Sequence, residues 1–428
     1  MVKLASEAEA AFSSFYEEMK TKGATGMRSA AWDAFSSKGL PNRRVESWHY
    51  TDIKAAMSKP APLAIGRAGV EAARTHDSIR LIVLDGVFRP ELSNLSALPE
   101  GVKVQSLRDA LAQGTPGVMA LIASADVQTD DALLSLNAAL MQDGVILRVG
   151  GGVTVERPIE LASITSSDEA QSSFTRSLVI MGKDARAAVI ETASALSAAS
   201  IQDNQALIVR LAQGASLNLF THATGQGEAL VRVMSLVAHL DEGATLSAYS
   251  LIEGAGLLRR QIFARLDGER ARVAFNGATL ARGRSHADTT LIVDHAKPNG
   301  ESRERFRNIL DEASVGVFQG KIIVRPGAQK TDGVMQSKTV LISDSATMNN
   351  KPELEIFADD VQCGHGATCG RLDKDQLFYL TARGIPRKEA ESLLIEGFAI
   401  EAFDGLENEA LRDFVSERVT KWMSGRTA

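Results

Sequence analysis

The sequence predicts a mainly β protein: a long β-helix core, preceded by a helical and α/β region and followed by a helical one. Three observations carry this. Helical periodicity marks both ends of the chain; between about Asp143 and Leu372 it gives way to short strands separated by Gly, Asp and Asn; and those strands contain an imperfect internal repeat. The expected divisions are 1–140, 141–371 and 372–428.

In the first region Leu4, Ala8, Phe12, Phe15, Tyr16 and Met19 recur at helical spacing, and a second helix carrying Trp32 and Phe35 stops at Gly39-Leu40-Pro41. From Arg80 the apolar run Leu81-Ile82-Val83-Leu84 ends in an Asp85-Gly86 turn, and helical stretches follow from Leu107 to Leu140.

In the core, GVILRV, VTVERPIEL, SLVIMGK, AAVIET and ALIVRLAQGASLNLF follow one another as strand-like runs. LAQGASLNLF and LDEGATLSAY align with Gly214 and Gly243 29 positions apart, and LDGERARVAF places Gly268 a further 25 on. Strand units of this period without helices suit stacked coils, each burying its apolar residues on the next and pairing its backbone above and below. A β-sandwich is the alternative, but this many strands would need two, and no Pro- or Ser-rich linker divides the region.

After Arg371 helical spacing returns: Pro386 suits a first turn, and Ala390, Leu393, Leu394, Gly397 and Phe398 share a face, as do Leu411, Phe414, Val415, Val419 and Trp422. Such helices can cap the open end of a β-helix, whose last coil exposes a pairing edge, or dock a partner.

Composition excludes several classes. Of the 428 residues 44% are hydrophobic and 23% charged, ordinary for a globular protein, and a net charge of −6 argues against a nucleic-acid surface. No apolar run approaches the ~20 residues of a membrane span, and MVKLASEAEAAF has no apolar signal core. Two cysteines, Cys363 and Cys369, cannot make a disulfide framework, so a reducing, cytoplasmic home is expected.

The sharpest chemical feature is Cys363-Gly364-His365. Two apart on a strand, thiol and imidazole project from the same face and can bind iron or zinc. Two ligands leave a tetrahedral site half empty, and Cys369 lies too far along the strand to complete it, so no stable metal is expected in one chain. Asp359 and Asp360 point to opposite faces and suit solvation or turn capping. Gly320-Lys321 is followed by Ile322 and Gly182-Lys183 by Asp184, so there is no Walker loop and any ATP dependence belongs to another chain. Nucleophile-elbow, zincin and dinucleotide fingerprints are absent too. A β-helix carbohydrate-active enzyme lacks its clustered Asp/Arg set, whereas a stand-alone homodimer doubling Cys363 and His365 into four ligands stays open.

From Gly320 through KTDGVMQSKTVLISDSATMNNKPELEIFADDVQCGHGATCGRLDKDQLFYLTARGI the chain resembles the core of the SufB/SufD family of iron–sulfur cluster assembly scaffolds. PNRRVESWHYTDIK, Pro41 to Lys54, is similar to the family's N-terminal motif, and DGVILRVGGGVTVERPIEL to its entry into the β-helix. Cys363-Gly364-His365-Gly366-Ala367-Thr368 stands where SufB members carry His-Glu-Ala-Thr, so the likeness is to the SufD branch.

The resemblance implies a right-handed parallel β-helix in a non-catalytic scaffold subunit of a SufBCD complex. That subunit would pair with SufB through the β-helix and dock the SufC ATPase through its C-terminal helices. It implies a transient iron or iron–sulfur cluster shared with SufB, with His365 at the family's histidine position and Cys363 at the neighbouring cysteine, and no stably bound cofactor. Leu377, Phe378, Tyr379, Arg383, Gly384 and Ile385, in the family's LFYLxxRG stretch, are the implied contacts for SufC.

Overall fold

The chain alternates, strand by strand, between two sheets. The computed structural model describes residues 7–66 and 76–425. From Val145–Val149 and Ile159–Thr165 to Thr347–Ile356 and Gln362–Gly370, each successive strand joins the opposite sheet and lies parallel to the strand one coil earlier. This is a two-sheet parallel β-helix with two strands per coil, and the parallel pairing removes the sandwich alternative.

Register and burial explain the interior. Leu217 pairs with Leu246 and Leu246 with Val273 in one sheet, and Leu211 with Leu240 and Leu240 with Leu266 in the other. These rows are buried and face each other in one continuous core. Because side chains alternate along a strand, the intervening residues face outward, and each sheet needs a cover where they are apolar.

The N-terminal helices Glu7–Met19 and Thr25–Lys38 supply one cover. Phe12, Phe35, Trp48, Leu133 and Leu136 pack on Phe174, Val231 and Val233 of the nine-stranded sheet. Leu4, expected on the first helix, lies outside the described residues. The PNRRVESWHYTDIK motif clamps the same face: the Arg259 guanidinium stacks 3.8 Å over Trp48 and donates to the Ser47 carbonyl at 2.7 Å, while Thr51 donates to Asp288. The first coil is closed by antiparallel strands, Val87–Phe88 beside Ile79–Leu84 and Val102–Ser106 beside Val145–Val149.

The C-terminal helices do not cap the far end. Ile395, Ala399, Phe403, Val415, Val419 and Trp422 bury against Ile190, Phe220, Tyr249, Leu251 and Ile309, on the outer face of the ten-stranded sheet. Arg418 ties them there with two bonds to Glu253, at 2.7 and 2.6 Å. The capping expectation fails because this sheet's outward row is apolar and needs the helices along its flank. The last two strands are therefore left as edges, each with one neighbour.

Candidate functional site

The final strand, Gln362–Gly370, pairs in register with Asp332–Leu341, matching Gly333 to Cys363, Met335 to His365 and Thr339 to Cys369. Met335 is fully buried in the core, so Cys363 and His365 continue an inward-facing row beyond the last covered coil. The structure brings them to one face, as their spacing requires. Among the described residues no coil lies above them, so Cys363 is half-buried against the core and His365 is exposed.

Cys369 shares the face but lies four residues past His365, roughly 13 Å along a strand. Among the described residues no three His, Cys, Asp or Glu side chains converge on one metal position. Burial pushes the Cys363 thiol up; a backbone hydrogen bond with Gly333 opposes this, and the charges of Asp332 and Glu304 add to it. Burial raises Cys369 as well. Both thiols are thus protonated at neutral pH, and a bound cation is what would favour the thiolate.

Asp359 and Asp360 make no joint site. Asp360 pairs with Lys330, whose N–H donates to the Asp360 carbonyl at 2.6 Å, fastening the last turn.

The rest of the last coil is equally open. No residue of Thr347–Ile356 is buried, and Phe357, just beyond it, is 57% exposed. An uncovered pair of parallel edges, floored by a partly exposed apolar coil, is a template for another chain's strands.

A second surface lies on the helix Lys374–Ala382, which has no buried residue. Phe378 is 73% and Tyr379 57% exposed, and the Arg383 guanidinium sits 4.9 Å over the Tyr379 ring. Leu377 and Ile385 are half-buried beside them, and Gly384, at φ 87°, ends the helix.

Sequence reasoning missed Glu304. The run Glu301-Ser302-Arg303-Glu304-Arg305-Phe306-Arg307 is mostly charged, yet its even positions 302, 304 and 306 point inward, and Glu304 is fully buried. Only the strand alternation could have revealed it, through Phe306 and Leu310 on the same side.

Residues 163–398 match the family described as SUF system FeS cluster assembly, SufBD core domain, and residues 10–161 match the SufBD protein N-terminal region. The chain belongs to the SufB/SufD family. It is 30% identical to the iron–sulfur cluster assembly protein SufD of Escherichia coli K12, over 90% of both chains. It is 29% identical to a SufBD family protein of Synechocystis, over 88% of this chain and 86% of that one. SufD of Bacillus subtilis is 24% identical over 65% and 64%. The two family matches together span the N-terminal cover, the β-helix and the helix Lys374–Ala382.

Proposed function

We propose that this chain is the non-catalytic SufD-type scaffold of a SufBCD assembly, supporting construction of an iron–sulfur cluster at its interface with SufB. The observation that carries the reading is the uncapped last coil, where two unpaired parallel edges surround Cys363 and His365. A β-helix that closes its first end with antiparallel strands and leaves its last one bare is built to be continued by another chain. SufB's own edge strands are the natural continuation.

The incomplete ligand set fits this role. Cys363 and His365 offer a thiol and an imidazole, and the partner supplies the remaining donors, so iron and sulfide are cargo at the seam rather than a resident cofactor. With no phosphate-binding loop in this chain, ATP is hydrolysed by SufC, which docks on Leu377, Phe378, Tyr379, Arg383, Gly384 and Ile385. The working compartment is the cytoplasm, where the free thiols stay reduced. A homodimer of this chain would use the same edges and is the competing state.

Anaerobic co-expression with the matching SufB and SufC, followed by native mass measurement, tests this. The expected complex holds one copy of this chain, one SufB and two SufC; His365→Ala leaves the mass unchanged and lowers cluster yield at least tenfold. A native chain that purifies only as a homodimer carrying stoichiometric metal would overturn the reading.

A further inference from the structure

The edge strand Thr347–Ile356 carries Pro352 in its middle, and the direction of its backbone groups decides what that proline removes. Backbone groups of successive strand residues point to alternate sides. The Thr347 N–H donates to the Ser314 carbonyl and the Phe357 N–H to that of Val324, so the odd positions face the neighbouring strand Val315–Val324. The even ones, Met348, Asn350, Pro352, Leu354 and Ile356, turn toward the open edge. Proline has no N–H, and the existing sheet loses no bond to it because this nitrogen faces outward. The edge therefore offers donors at Met348, Asn350, Leu354 and Ile356 and a gap between Asn350 and Leu354.

The gap has a definite place across the lumen. Pro352 is in register with Gly320, and His365 with Met335. A Cβ on Gly320 would run into the Met335 sulfur, so those two residues face each other, and one rung further out Pro352 faces His365. The bond from Ser337 Oγ to Asn350 Oδ1, 2.8 Å, marks the same alignment two residues along. On the other edge strand the Gln362 N–H donates to the Thr331 carbonyl, which turns the N–H groups of Cys363, His365, Ala367 and Cys369 to the open side. Of the outward positions on the two strands, Pro352 alone, opposite His365, lacks a donor.

We infer that Pro352 holds the seam with SufB open opposite His365, leaving a lateral portal through which iron and sulfide reach that ring. A strand pairing with this edge forms bonds on both sides of Pro352. At the proline its carbonyl finds no donor, and Cδ, standing where the hydrogen would be, keeps its backbone off. Water satisfies the unpaired carbonyl, so the gap is hydrated. Facing sheets lie about 10 Å apart, which leaves an ion on the His365 ring beside this gap rather than sealed beneath a continuous ladder. A proline that only guarded the edge against self-pairing would serve at any of the five outward positions; its placement opposite His365 is what the portal accounts for. This rests on the reading of the open end as the SufB interface and names the residue that keeps that interface passable.

The test is the rate at which diethyl pyrocarbonate modifies His365, read by peptide mass spectrometry in the isolated full-length chain and in its complex with SufB. In the native complex His365 should react at close to the rate seen in the free chain. Pro352→Ala restores an outward N–H without touching the ladder to Val315–Val324. It should leave the rate in the isolated chain unchanged and lower it at least fivefold in the complex, with the restored amide protected from hydrogen exchange; Pro352→Val takes its place if the alanine variant does not fold. Equal rates in the native and variant complexes, or a native complex in which His365 is already shielded, overturn the portal. Variant chains that pair with each other instead of with SufB overturn it too, by reducing Pro352 to an edge guard. A native chain that never binds SufB sinks the inference together with the interface reading, whereas a shielded His365 inside an intact complex sinks the inference alone.

Discussion

Two buried titratable side chains face opposite directions on the pH axis. His295 lies in an inward row between Leu266 and Val324 with neither ring nitrogen bonded, and burial lowers its pKa from 6.5 to about 4. The fold prefers the neutral ring, so this contribution is whole above pH 6.5 and is lost as pH falls toward 4, at about 1.4 kcal/mol per unit. Glu304, raised from 4.5 to about 8, behaves in reverse. Its contribution is whole below pH 4.5 and is lost as pH rises through 8, at a similar slope. Urea unfolding from pH 4 to 9 should show His295→Leu flattening the acid limb and Glu304→Gln the alkaline one. Unaltered limbs in both variants would contradict the burial argument. At this scale the sequence was informative for Cys363 and His365, because alternation on one strand decides their common face. It was silent on Glu304, whose burial depends on which face of a charged run the next coil covers.

Among elements, the recurrent feature is a backbone conformation rather than a residue. Asp184, Gly214, Gly243, Arg270, Asn299 and Lys330 all have positive φ, and each stands two residues before a strand of the ten-stranded sheet. Each N–H donates to a carbonyl in the next turn, from Asp184 to Gln213 onward to Lys330 and Asp360, so the turns form their own ladder. The internal repeat looks imperfect because only two of these six positions are glycine, and Arg270, not Gly268, occupies the equivalent place in the third unit. Gly268 answers a different need: a Cβ there would lie 1.9 Å from the backbone nitrogen of Glu242, whereas one at Gly243 meets nothing within 4 Å. Gly243→Ala should therefore cost only about 1 kcal/mol, the penalty of left-handed backbone. Gly268→Ala, which forces neighbouring turns apart, should cost more than about twice that. Denaturant midpoints check the order, and a costlier Gly243→Ala would refute it. The helices were legible from apolar spacing, but where they pack was not, because the apolar outward row at Phe220, Tyr249 and Leu251 is recognisable only once the strands are in register.

For the whole molecule, the two exposed surfaces are separate in construction, which allows them to be occupied independently. The last coil is an edge of the β-helix itself, while Phe378 and Tyr379 belong to a helix that packs on Arg387–Ile400, in turn held against the flank. Edge strands with one neighbour leave half their backbone groups open to water, so amides of Thr347–Ile356 and Gln362–Gly370 should exchange hydrogen fastest among the coils of the isolated chain. Adding SufB alone should slow exchange in those two strands and leave Lys374–Ala382 unchanged; adding SufC alone should do the reverse. Hydrogen-exchange mass spectrometry resolves the segments. If SufB protected the helix, or SufC the edge strands, the assignment of partners to surfaces would be wrong even with the assembly intact. If the edge strands were already protected at micromolar concentration and became exposed on dilution, a homodimer would be occupying the face proposed here for SufB.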